Sequence, residues 1–459
     1  MSSNAVPEGR NLPVEIVDEI IGQFVSTALD TDTPHRLLLR DLSNISTVSP
    51  VFLRIARSHI FKKIAIFIGN SFISSSNKEN LSALFTREPT IAKFVKHITC
   101  QYNADVPHNG QLAPLFQLPN VQSLTLALCL YRRTDDETIQ YFKRSSDISS
   151  TFGVRALLEH YLKSGSLKMV TLTRMMPLPC NVLLESPTLE SVSIYQSFAS
   201  SEEVVLSPNS TSQRSNIKKL ILVNTTIPFA FLARSPKLQI LHLTRDNIAD
   251  FSTYEHSNNE PALPSLEELN LTINSYDDDL GQGYHQRHLQ VILDHSPILK
   301  NLSLSIPLSS AVFLTIPRMP QLETLSLNWC GSTVHPHTDI VKSAIQTMSS
   351  CRLPSESLKN LNLRLSIDLR TMTESLDCMK GSIRKVIALA MDRDCRLFPR
   401  LQKVSLIIRI SIENAPEEVR ENIESELQAL ITLEVHDEKD QRATFDSEIS
   451  VVDEAKIHL

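Results

Sequence analysis

Glycine is scarce in this chain, with only 10 in 459 residues against a usual share of about 7%. Phosphate-cradling loops, nucleophile elbows and tight hairpins all need glycine, so nucleotide-binding and hydrolase folds start at a disadvantage. Tryptophan occurs once. No apolar run approaches the length of about 18 residues that a spanning helix needs. The opening segment MSSNAVPEGRNLP lacks the apolar centre of a signal peptide, so none is expected there. The 7 cysteines are odd in number and scattered, which fits buried thiols better than a disulfide frame. A basic stripe is missing too. The formal net charge is −6, and Glu413–Leu459 carries 14 acidic against 4 basic residues. Nucleic acid is therefore not an expected partner. What remains is a soluble composition, 42% hydrophobic and 21% charged, too long for one ordinary core.

What the chain does have is a repeat. The pattern Leu-x-x-Leu-x-Leu recurs, often entered by Ser-Pro or Leu-Pro, as in SPTLESVSI, SPKLQILHL and LPSLEELNL. Its first apolar position falls at Val95, Val121, Leu167, Leu189, Ile217, Leu238, Leu266, Leu299, Leu322, Leu358 and Leu401. All eleven units carry an apolar residue, counting Cys100, at +3 and +5. Positions two apart share one face of a strand. Eight units also place a small polar residue or cysteine at +8, where the chain must turn and a side chain can satisfy backbone groups: Asn103, Cys129, Ser197, Thr225, Asp246, Asn274, Cys330 and Ser366. A single unit cannot bury its apolar face, but stacked units can.

The intervals run from 21 to 46 residues, and several show helical periodicity. Helices are predicted at Val154–Leu162, Gln286–His295, Ile340–Met348 and Ile383–Met391. The fold class expected is α/β, with parallel strands inside and helices or loops outside. A further helix is predicted after Pro416, with Val419, Ile423, Leu427 and Leu430 as its apolar stripe, covering the end of the stack. The domain reading is a helical module over 10–68, a repeat stack with a capping helix over 69–432, and a solvated acidic tail over 433–459.

The first segment has another texture. Leu12-Pro13 opens a helix in which Val17, Ile20, Ile21 and Phe24 follow at helical spacing. After the polar stretch TALDTDTPHR, Ser49 caps a helix with Pro50 at its first position. Phe52, Ile55, Ala56 and Ile60 share a face of that helix. His59 reads as a helix-face residue meeting neighbouring backbone, not as a base. Three short helices bury little surface alone, so the module needs a partner or the neighbouring domain.

Chemistry is hard to find. His285 and His288 with Asp277-Asp278-Asp279, and Cys330 with His335 and His337, have loosely ligand-like spacing, but three or four groups must converge on one ion. Gly281-Gln282-Gly283 lacks the third glycine of a dinucleotide loop. The expectation is a non-enzyme with no cofactor and no metal.

Two resemblances join these readings. The repeat units are similar to the leucine-rich-repeat family over roughly 90–410. The leading residues Leu12-Pro13-Val14-Glu15-Ile16, Ile20-Ile21, Leu42, Ile45 and Val48-Ser49-Pro50-Val51-Phe52-Leu53 resemble the F-box of fungal type. Phe52 stands where that family usually has tryptophan, and Ser49-Pro50 replaces the common Cys-Arg. The resemblance implies a receptor that docks on a Skp-type adaptor of the cullin ubiquitin ligase core and holds a target for degradation, in cytoplasm or nucleus. It implies adaptor-binding roles for Leu12, Pro13, Ile16, Ile20, Ile21, Leu42, Val48 and Phe52. Strand positions +2, +4 and +6 face away from the core, and Tyr195, Trp329 and Arg364 are the target-binding candidates. The alternative is a leucine-rich scaffold whose leading helices only cap the stack. Neither reading involves a membrane.

Overall fold

In the computed structural model, the residues described are 13–30, 35–47, 49–68, 81, 83–102, 112–128, 153–175, 178–199, 215–244, 247–249, 261–272, 283–307, 316, 319–330, 357–369, 376–391, 400–412, 416–436 and 444–453. They form two compact units, Met1–Met176 and Pro177–Leu459.

The first unit begins with helices α1 (Val14–Asp30), α2 (His35–Ser46) and α3 (Pro50–Ile60). Helix α1 continues through Thr27-Ala28-Leu29-Asp30, the first four of the ten residues in the polar stretch expected to interrupt it. Val17, Ile21, Leu42 and Ile55 form a small buried core, with Ile45, Phe52 and Ile60 packed against it. The start of α3 follows the sequence: Ser49 is extended, its hydroxyl accepts the Phe52 amide at 3.3 Å, and Pro50 needs no donor there. Helix α3 runs almost directly into strand β1 (Lys63–Ile68). Residues 63–68 therefore belong to the strand stack and not to the helical module that the sequence reading extended to 68.

The unit continues with α4 (Pro89–Ala92), β2 (His97–Tyr102), a 3-10 turn (Ala113–Gln117), β3 (Ser123–Leu128), α5 (Val154–Ser164) and β4 (Met169–Thr173). Strands β1 to β4 are parallel and in chain order. Ile64, Ile98, Leu124 and Val170 are register partners, as are Ile66, Cys100, Leu126 and Leu172. All eight are buried.

Helix α5 closes this core with Leu157, Leu158, Tyr161 and Leu162. It ends at Gly165, whose φ of 72° is the left-handed cap that glycine adopts without strain. The Tyr161 hydroxyl donates to the Leu115 carbonyl, and burial pushes its ionisation above the ordinary 10.0. Above that pH the unfolded chain releases a proton that the folded chain retains. Stability is thus full below pH 10.0 and falls as pH rises. Tyr161→Phe is expected to cost about 1 kcal/mol at neutral pH, since Leu115 O keeps the Leu118 amide. It should also flatten the alkaline loss. Denaturant midpoints for both forms at about pH 8 and about pH 11 measure this; an unchanged alkaline slope would assign the proton elsewhere.

The second unit contains α6 (Cys180–Glu185), β5 (Ser191–Tyr195), β6 (Lys219–Val223), β7 (Thr226–Pro228), α7 (Phe229–Ala233), β8 (Ile240–Thr244), β9 (Asn247–Ala249) and β10 (Glu268–Thr272). It goes on through α8 (Gly283–Asp294), β11 (Asn301–Pro307), β12 (Thr324–Cys330), β13 (Asn360–Leu369), α9 (Leu376–Met391), β14 (Lys403–Ile412), α10 (Glu417–His436) and β15 (Thr444–Asp453). Nine strands stack parallel in the order β5-β6-β8-β10-β11-β12-β13-β14-β15, with β7 and β9 pairing separately. The fold is mixed α/β with parallel strands.

Every one of the eleven repeat positions lies two residues before a strand. Ten are buried, and Leu401 is half-buried. The +3 residues Val192, Leu220, Leu241, Leu269, Leu302, Leu325, Leu361 and Val404 form one buried row. The Ser-Pro entries have a local cause. Ser235 and Ser296 lie past the ends of α7 and α8, and their hydroxyls donate to Phe231 O at 3.2 Å and Ile292 O at 2.6 Å, pairing orphaned helix carbonyls. Pro236 and Pro297 then sit inside turns closed by the Leu238 and Leu299 amides on the two serine carbonyls.

The chain leaves three successive strands through left-handed residues at +7: Arg174 (φ 57°), Gln196 (φ 49°) and Asn224 (φ 51°). A glycine-poor chain makes these turns with ordinary residues and absorbs the strain. At +8, Thr225 Oγ1 donates to Ile194 O of the neighbouring strand at 3.2 Å, the backbone-satisfying role expected of that column. Asn103, Cys129, Asp246 and Asn274 of the column, and the helix predicted at Ile340–Met348, lie outside the described residues.

Two differences mark the acidic end. Helix α10 is a connection between parallel strands, since β15 follows it and pairs with β14 over ten residues. Residues 444–453 are therefore sheet and not solvated tail. Leu427, Leu430 and Ile431 of α10 are buried, while Val419 and Ile423 are half-buried.

Candidate protein-interaction surfaces

The helical module divides its predicted anchors into two sets. Ile21 and Leu42 are 3% and 2% exposed and belong to the module's own core, so neither is a contact for a partner. Adjacent apolar residues on an amphipathic helix read alike in sequence, and only packing shows which one faces inward. Ile16 and Ile20 are 43% and 55% exposed, one turn apart on α1, and Pro13 is exposed at its start. Phe52 is half-buried against the core. Leu12 and Val48 lie outside the described residues. His59 Nε2 meets the Asp18 carboxylate at 3.1 Å, so it ties α3 to α1 through a side chain and not through backbone.

The second surface is the outer face of the strands in the second unit. Positions +2, +4 and +6 are half-buried or exposed along it, as predicted from strand parity. On β5, β6 and β8 this face is partly apolar: Tyr195 and Val223 are register neighbours, Ile221 lies two residues before Val223 on β6, and Ile240 stands beside Lys219. Further along, His242, Glu268 and Asn270 form a small network, in which Asn270 Nδ2 donates to Glu268 Oε1 at 2.9 Å and lies 2.7 Å from His242 Nε2. A neutral amide and hydroxyl ladder follows: Asn328 donates to Ser305 at 3.3 Å and Asn362 to Ser326 at 3.0 Å. Arg364 stands exposed on β13.

Trp329 does not belong to this face. It sits at +7 of a strand that runs on to Cys330, so parity turns it inward with +3 and +5, and it is 0% exposed. It is a core residue and not a target contact.

The +1 column escaped the sequence reading. Most +1 carbonyls accept two amides from the next strand, as Lys300 O does from Glu323 and Thr324 at 2.8 and 3.0 Å. Charged side chains there pair across strands: Glu190 with Lys218 at 3.3 Å, Glu267 with Lys300 at 3.1 Å, and Glu323 with Lys359 at 3.1 Å. The signal was present in the sequence as opposite charges one residue after Leu189, Ile217, Leu266, Leu299, Leu322 and Leu358. Such half-exposed pairs contribute about 0.2–1 kcal/mol each, so their main effect is on register.

Among the described residues, no group of three or more His, Cys, Asp or Glu is placed to hold a metal ion. Asp277, Asp278, Asp279, His335 and His337 lie outside those residues. No described helix is long and apolar enough to cross a membrane. No protein family model matches the chain, and no curated protein matches it.

Proposed function

We propose that the chain is a substrate receptor of a cullin-type ubiquitin ligase. Helices α1–α3 act as the F-box and dock on a Skp-type adaptor through Pro13, Ile16 and Ile20. The strand stack acts as an irregular leucine-rich-repeat solenoid and holds a target protein, with Tyr195 and Arg364 on its outer face as first contacts. The chain itself contributes proximity, and its partners do the chemistry.

The observation that carries this reading is the exposed pair Ile16 and Ile20 on a helix whose Val17 and Ile21 already fill the module's core. Two large apolar side chains left in water one turn apart are a docking stripe in search of a hydrophobic partner. The sequence around them carries the F-box resemblance. The test is co-elution of the full chain with a purified Skp-type adaptor on size exclusion. A stable one-to-one complex is the expected result. Separate elution at micromolar concentration would remove the receptor reading and leave the scaffold whose helices only cap the stack.

A further inference from the structure

Strand β15 ends the order of the second unit, and among the described residues no strand lies beyond it. In a parallel ladder, successive residues turn their backbone groups alternately to the two sides. Thr444 N donates to Gln402 O at 2.7 Å. The even-numbered residues of β15 therefore bond to β14, and Phe445, Ser447, Ile449 and Val451 turn their amides and carbonyls to the free edge. A row of free backbone groups is a template for another strand.

Side chains specify which strand fits. On the outer face Asp446 and Glu448 are exposed. Within the sheet, Asp446 is already met by Lys403 of β14 at 2.6 Å, so a cation is the neighbour this row accepts. In the sequence, the stretch 413–459 that contains β15 carries 14 acidic against 4 basic residues. On the inner face Phe445 and Val451 are only half-buried, although their register partners Val404 and Ile410 are 0% exposed. A further strand's apolar side chains would cover them.

We infer that the β15 edge receives an extended segment of a partner protein in which apolar and basic residues alternate. The apolar set packs beside Phe445, Ile449 and Val451, and lysine or arginine stands opposite Asp446 and Glu448. A second copy of this chain is a poor occupant, because a two-fold pairing sets acidic rows against each other. The same charges thus admit one class of strand and repel the chain's own kind. This edge works independently of the helical module.

A fluorescein-labelled octapeptide of alternating lysine and valine, titrated into the full chain at low salt, tests this. Saturable binding is expected, with none for an alternating glutamate–valine peptide. Ser447→Pro removes an edge-facing amide while leaving every β14 bond in place, as proline on an edge strand allows. It should weaken binding about ten-fold, the worth of roughly one backbone hydrogen bond. In the unmodified chain, bound peptide should slow amide exchange at Phe445, Ser447, Ile449 and Val451, a readout that needs no variant to fold. Unprotected edge amides, or equal affinity for a folded Ser447→Pro chain, would reduce the binding to general charge attraction and overturn the inference. A chain dimer dissolved by Ser447→Pro would also overturn it, placing a second copy on the edge.

Discussion

Trp329→Ala is expected to destabilise the second unit by about 3–5 kcal/mol, the usual cost of deleting a fully buried large aromatic side chain. Trp329 is 0% exposed, and its register partner on β13, Leu365, is equally buried. Removing the ring opens a void between strands that cannot close without shifting a backbone locked by the ladder. The indole Nε1–H is buried with no hydrogen-bond partner among the described residues. Trp329→Phe should therefore cost less than alanine by more than ring volume alone suggests, since it deletes an unpaired donor together with the apolar area. Urea unfolding followed by far-ultraviolet circular dichroism measures both. An alanine variant within about 1 kcal/mol of the parent would contradict the burial of this residue. Because the chain has one tryptophan, its fluorescence reports on β12 without labelling.

The second large effect concerns α1. On the receptor reading proposed above, replacing both Ile16 and Ile20 by aspartate should lower adaptor affinity at least about 100-fold, as expected for losing two apolar anchors and adding two charges to the docking face. The melting temperature should barely move, because both side chains already face water. Ile21→Asp is the control. It places a carboxylate in the core formed with Val17, Leu42 and Ile55, and the module should unfold. Calorimetric adaptor titration and melting curves of the three proteins separate docking from folding. Unaltered affinity in the Ile16→Asp, Ile20→Asp chain would move the adaptor contact off this face.

Much of the strand stack was legible because its signal is local and repeated. A leucine two residues before each strand and apolar residues at +3 and +5 fix where the strand begins and which face is buried. The two terminal strands were not. Phe61, Ile64 and Ile66 carry the same spacing, but they follow α3 so closely that they read as its continuation. In β15 the +5 position is Ser447, and charged residues hide the alternation. Trp329 was misplaced for a different reason. Strand length decides whether +7 lies in a strand or a turn, and the repeat does not encode that length. In units starting at Leu167, Leu189 and Ile217 the +7 residue is a left-handed turn, whereas β12 is still extended there. On the outer face, the positions that strand parity turns outward between β10 and β13 are mostly small and polar. Its apolar pair on β5 and β6 appears only once register sets Val223 beside Tyr195.

The charge pairs at the head of the strands have a consequence for how such a molecule can change its size. Excising the unit led by Leu238 would bring Lys218 beside Glu267, a compatible junction. Excising the one led by Leu299 would press Glu267 against Glu323. Shortening or duplication by recombination is thus filtered by sign, and lineages of this chain should gain or lose modules in some places and keep them in others.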